Sequence, residues 1–148
     1  ESLDIAPDIA LGHYTHEKSP AACAAALATI AYIEENKLAE HAKELGLYAK
    51  ERMKAMMENH SLIGDVRGLG LLMGMELVQD RTTRERATDE AEAVMYSALS
   101  KGLSFKTTMG NILTLTPPLT ITRAEMNKAL DILEESLTEV QDTLNHKT

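Results

Sequence analysis

The sequence predicts an α+β domain, a small antiparallel sheet covered on one face by helices. Three observations predict it. Apolar residues recur at helical spacing in two long segments, Leu38, Ala42, Leu45, Ala49, Met53 and Met56, then Met126, Leu130, Leu133, Leu137, Val140 and Leu144. Between them, Leu69, Leu71, Met73, Met75 and Leu77 alternate with smaller or polar residues, the period of two that a strand requires. Two further short extended segments, 103–107 and 112–116, flank Met109-Gly110-Asn111, which reads as a hairpin turn.

Taken in order, residues 1–18 read as loop, with a short extended piece at 8–11. Ser19-Pro20 opens the first helix: the hydroxyl accepts from free backbone N–H groups, and proline fits the first helical position. An alanine-rich run continues to about Glu35, with small side chains suited to close packing against a neighbour. Asn36 is expected to cap the second helix, whose other faces carry Glu40, Lys43, Glu44, Lys50, Glu51 and Lys54. Gly46 weakens that helix slightly. In residues 63–78, Gly64, Gly68, Gly70 and Gly74 punctuate an apolar stretch, which reads as two short strands or one strand bulged near Gly68–Gly70. Residues 79–86 read as a charged loop. A third helix runs from about 87 to 101 with Ala91, Val94 and Ala98 inward and Gly102 as C-cap. Pro117-Pro118 ends the last strand, and Thr122-Arg123-Ala124-Glu125 has capping-box spacing ahead of the final helix.

Composition narrows the function. With 148 residues the chain can build one modest core, and its charge of -8 with pI near 5.1 argues against a nucleic-acid or anionic-membrane partner. No apolar run reaches membrane-spanning length, and no signal peptide is legible. The lone cysteine, Cys23, fits a reducing, cytoplasmic setting and reads as a small buried hydrophobe. The chain starts at Glu1 rather than methionine, as expected of a processed chain or a piece of a longer one.

Three segments resemble one family. Residues 12–26, GHYTHEKSPAACAAA, are similar to the class III aminotransferase stretch in which a threonine loop and a proline precede an Ala-rich helix. Residues 63–78, IGDVRGLGLLMGMELV, are similar to its Gly-rich strand pair, and residues 111–122, NILTLTPPLTIT, to the segment leading into its last helix. The resemblance covers essentially the whole chain. It implies the C-terminal small domain of a fold type I enzyme dependent on pyridoxal phosphate (PLP), with residues 1–18 as the tail of the large domain and 19–148 as the small domain with its leading helix. It further implies a homodimer acting on small amines or amino acids and keto acids.

The resemblance places the family's phosphate-binding threonine at Thr15, where a hydroxyl and a backbone N–H ahead of a helix suit a phosphate dianion. It places the Schiff-base lysine in the large domain, and none of Lys18, Lys37, Lys43, Lys50, Lys54, Lys101, Lys106, Lys128 or Lys147 sits in a comparable context. The chain alone is therefore expected to be inactive, with no catalytic residue of its own, since PLP acts as an electron sink only once linked as an imine. Many relatives carry a carboxylate-binding arginine before the Pro-Pro-Leu turn. Thr114 stands there in this chain, and a hydroxyl does not replace a guanidinium.

Other candidates have plainer readings. His13, His16 and Glu17 lie in a loop with no fourth ligand evident, so they read as surface or packing residues rather than a metal site. Arg67 reads as an ion pair that pins a Gly-rich turn. The Gly64–Gly74 pattern lacks the strand–loop–helix context of a dinucleotide loop. The expected function is amino-group transfer between an amine or amino acid and a keto acid. The alternatives are a racemase or epimerase on the same cofactor and a stand-alone α+β interaction module.

Overall fold

The fold is described from a computed structural model, for residues 19–146. By contacts the chain separates into two compact units, Glu1–Lys37 and Leu38–Thr148.

In the first unit, α1 spans Pro20–Glu35. Its N-terminus follows the expected chemistry: Ser19 is the cap, its side chain accepts from the Ala22 N–H at 3.4 Å, and Pro20 starts the helix. Asn36 acts differently from expectation. It closes α1, its backbone N–H bonding the carbonyl of Tyr32 and its amide donating to that same carbonyl at 2.9 Å. Lys37 follows at φ 51, a left-handed residue that stops the helix. Because no residue of α1 is buried, Cys23 is exposed, which corrects the expectation of a buried thiol.

The second unit begins with α2, Leu38–Asn59. Its buried residues are the six predicted from spacing together with Gly46. The strands are β1 (Ile63–Leu69), β2 (Leu72–Asp80), β3 (Glu85–Arg86), β4 (Lys106–Thr108) and β5 (Ile112–Leu115). They form an antiparallel sheet in the order β1-β2-β5-β4, with β3 paired to β2. Helix α3 (Thr88–Ser100) lies before β4, and α4 (Arg123–Asn145) closes the chain. This is the predicted α+β architecture.

Local differences have local causes. The Gly-rich segment is two strands joined at Gly70, and the irregularity in its ladder lies between Ile63 and Asp65 rather than near Gly68–Gly70. Gly70 itself takes φ +54, so the reversal there needs no bulge. The predicted charged loop is partly strand: Gln79 and Asp80 extend β2, and Glu85 and Arg86 pair back on it. Between them Asp80 Oδ1 accepts from the N–H groups of Thr82 and Thr83, both at 2.7 Å, an Asx turn that reverses the chain. The next strand starts at Lys106, three residues later than expected.

The core lies between the sheet and its helices. Register sets Val66, Met75 and Leu113 side by side across three strands, with Met73 beside Leu115. All are buried against Met53 and Met56 of α2, Ala91 and Val94 of α3, and Leu130, Leu133 and Leu137 of α4. Arg81 closes the α2 C-terminus, donating to the carbonyls of Met57, His60 and Ile63 at 2.6–2.9 Å. The Thr122–Glu125 capping box forms as predicted, and Arg123 stacks 3.8 Å over the Tyr48 ring, fixing the start of α4 against α2.

Candidate active site

The same pleat that buries one face of the sheet exposes the other. There the register aligns Arg67, Gly74, Thr114 and Lys106 in one row across β1, β2, β5 and β4, and Asp65, Glu76, Ile112 and Thr108 in the next. Arg67 donates to Glu76 at 2.6 Å and to Asp65 at 2.7 Å, and these bonds, the Glu76 one foremost, raise its pKa above the usual guanidinium value. The expected ion pair forms, but Arg67 lies inside β1 and the pair ties β1 to β2 within the ladder rather than pinning a turn.

At the β4–β5 end the sheet opens into a cleft of 540 Å³. Three elements shape it. Pro117 and Pro118 take the chain out of the β5 ladder, since neither supplies an N–H, and Ile121 N–H then bonds the Pro118 carbonyl at 3.0 Å. His41 Nε2 lies 2.8 Å from the Ile121 carbonyl and ties this turn to α2. The first turns of α4 supply Met126 and Leu130, and the segment before β4 supplies Leu103 and Phe105. The wall is mostly apolar. Its polar groups are Ser104, Lys106, Thr108, Thr114 and Thr116, and Lys106 is the one charged side chain lining it. Thr108 Oγ1 and Thr114 Oγ1 share a hydrogen bond of 2.7 Å.

The cleft alone does not fit PLP. The cofactor needs a lysine able to form an imine and a cradle of donors for its phosphate. No described lysine is buried, and Lys101, the one ion-paired lysine among the described residues, is committed to Glu139 at 2.6 Å. The cleft supplies one exposed cation and no array of backbone N–H groups. It can hold the body and one polar end of a small molecule and exclude water from them.

Thr15, the residue assigned to the cofactor phosphate, lies outside the described residues, as do Tyr14, His13, His16 and Glu17. Thr114 stands in the cleft lining. In the sequence Lys106 was weighed only as a Schiff-base lysine, and Thr108 and Phe105 were given no role, though all three line the cleft. A signal for Lys106 was present: a three-residue turn at 109–111 sets Lys106 opposite Thr114 on one face.

The profile of the family "Aminotransferase class-III" matches residues 8–137. The (R)-1-hydroxy-2-aminoethylphosphonate ammonia-lyase of Vibrio splendidus is 48% identical over 95% of this chain and 29% of its own length. The leucine/methionine racemase of Thermococcus litoralis is 45% identical over 96% of this chain and 32% of its own. A transaminase structure obtained by ancestral reconstruction superposes with a TM-score of 0.83 at 31% identity, covering 91% of this chain and 30% of that one. The chain belongs to the class III aminotransferases, a family of PLP-dependent enzymes. It spans about 30% of the length of these relatives.

Proposed function

We propose that this chain is the C-terminal small domain, with its leading helix, of a PLP-dependent aminotransferase that moves an amino group between an amine or amino acid and a keto acid. The observation that carries this reading is the likeness in backbone to transaminase structures over nine-tenths of the chain, together with the family match. Residues 1–18 are assigned to the tail of the large domain. That domain supplies the lysine that links PLP, which when bound acts as an electron sink for loss of the substrate Cα proton. This chain's part is to wall the substrate with the β4–β5 cleft and, through the Thr15 hydroxyl and amide, to hold the cofactor phosphate of a partner subunit. The assembly proposed is a cytoplasmic homodimer, and the 148-residue chain by itself is inactive.

A second reading has its own support. The absence of an arginine at position 114 and the 45% identity to a racemase favour return of the proton to Cα, which yields a racemase or epimerase on the same cofactor. The full-length enzyme separates the two. Amino acids should be consumed only in the presence of a keto acid, in equal amounts, if it is an aminotransferase. Loss of optical rotation without any keto acid would establish the racemase instead, and a full-length protein that binds no PLP would end both readings.

A further inference from the structure

We propose that Lys106 anchors the anionic head of the substrate: its ammonium, beside the paired hydroxyls of Thr108 and Thr114, receives a carboxylate or phosphonate, while the rest of the molecule lies on the cleft's apolar wall. This rests on the reading of the cleft as one wall of the active site.

Four observations carry it. Lys106 is the one charged side chain lining the cleft, and no carboxylate lines it to compete for the ammonium. Lys106 stands directly across from Thr114 in the β4–β5 register, so both project from the same face. The bond between Thr108 Oγ1 and Thr114 Oγ1 uses one of their two hydroxyl protons, which leaves the other to donate to an anion beside Lys106. Finally, the acids of this unit that form ion pairs take other partners: Asp131 and Glu134 bind Arg52, Asp65 and Glu76 bind Arg67, and Glu139 binds Lys101. Among the described residues Lys106 makes no such ion pair.

The chemistry selects the ligand class. An ammonium is a compact charge that accepts a planar carboxylate or a tetrahedral phosphonate, whereas a guanidinium favours flat, two-pronged pairing. Against the partly exposed Leu103, Phe105, Pro117 and Ile121 the remainder of the substrate is favoured when apolar. The fitting substrate is an amino compound with one anionic head and an apolar body.

The test uses the full-length, PLP-loaded enzyme with Lys106→Gln and Lys106→Arg. Three probes share one skeleton: leucine, its decarboxylated amine isoamylamine, and 1-amino-3-methylbutylphosphonate. Half-saturation is read from the cofactor absorbance. The native enzyme should bind leucine or the phosphonate more tightly than the amine, and the tighter of the two identifies the head group. Lys106→Gln should weaken the anionic probes by about ten- to a hundredfold, as for loss of a charge-assisted hydrogen bond, and shift isoamylamine by less than about twofold. Lys106→Arg should retain most of the preference. An enzyme that binds the amine as well as both anions overturns the proposal. So does a Lys106→Gln enzyme with an unchanged preference, or one that loses all three probes alike. A native full-length protein that holds no PLP would sink the broader reading instead.

Discussion

Replacing Gly46 by alanine sets two effects of opposite sign against each other. In a solvent-exposed helix the change stabilises by about 1 kcal/mol, because glycine loses more backbone entropy on folding. Gly46 is buried in α2, however, and a Cβ placed there falls 2.0 Å from the Gly70 carbonyl oxygen and 2.3 Å from its carbon. Ordinary contact begins at 3.4 Å, so well over an ångström must be found. The obstacle is backbone at a hairpin reversal, which no side-chain rotation can move aside. Room comes only from lifting α2 off the β1–β2 turn, which loosens the packing of Ala42, Leu45 and Ala49. Overpacking of this kind costs about 1–3 kcal/mol, and a backbone obstacle belongs at the upper end; allowing for the propensity gain, the net loss is about 2 kcal/mol. For a unit of this size that lowers the melting temperature by roughly 6–12 °C. Paired thermal melts and urea titrations by circular dichroism read the change directly. A variant as stable as the parent, or more stable, refutes the close approach of α2 to this hairpin.

Further outcomes follow from the same structure. Asn111 is buried and its Nδ2 donates to the Leu77 carbonyl at 2.8 Å, which also accepts the Ala87 N–H; Asn111→Ala should therefore cost about 1–1.5 kcal/mol in urea unfolding rather than the full penalty of an orphaned carbonyl. Thr122→Ala removes the cap of α4 and should cost about 1 kcal/mol, read as a lower urea midpoint; no change would place the α4 start elsewhere. Three carboxyls sit below their ordinary range: Asp80 through the Thr83 and Thr82 amides, Glu125 through the Thr122 amide and hydroxyl, Glu139 through Lys101 and then Ser97. Lower folded than unfolded pKa values stabilise the fold above about pH 4 and lose that effect as pH falls through them, so stability should decline as pH falls below about 4. A flat stability profile over that range would contradict these assignments.

What the sequence made legible was set by how locally each feature is determined. The inward stripes of α2 and α3, the inner residues of α4 and the α4 capping box depend on spacing along one helix, and all appear where spacing puts them. Features decided by distant residues were harder to see. Gly46 reads as a weak helix position until Gly70 is brought against it. Asn36 suits the start of one helix and the end of another, and the conformation of Lys37 goes with the second. Two-residue β3 has too few residues to show a period and exists because the Asp80 turn folds it back on β2. The cleft joins residues from Met73 to Leu130, so no motif announces it. Thr114 was legible as a departure from the family pattern, while Lys106 required the register.

The assignment of Thr15 to a cofactor phosphate carries the account of what this chain does for its enzyme. Its most direct test is the dissociation constant of PLP from the full-length protein, measured with and without Thr15→Ala. Loss of one hydrogen bond to a charged group should weaken retention by about 1–3 kcal/mol, roughly five- to 150-fold. An unchanged dissociation constant would remove Thr15 from the phosphate site.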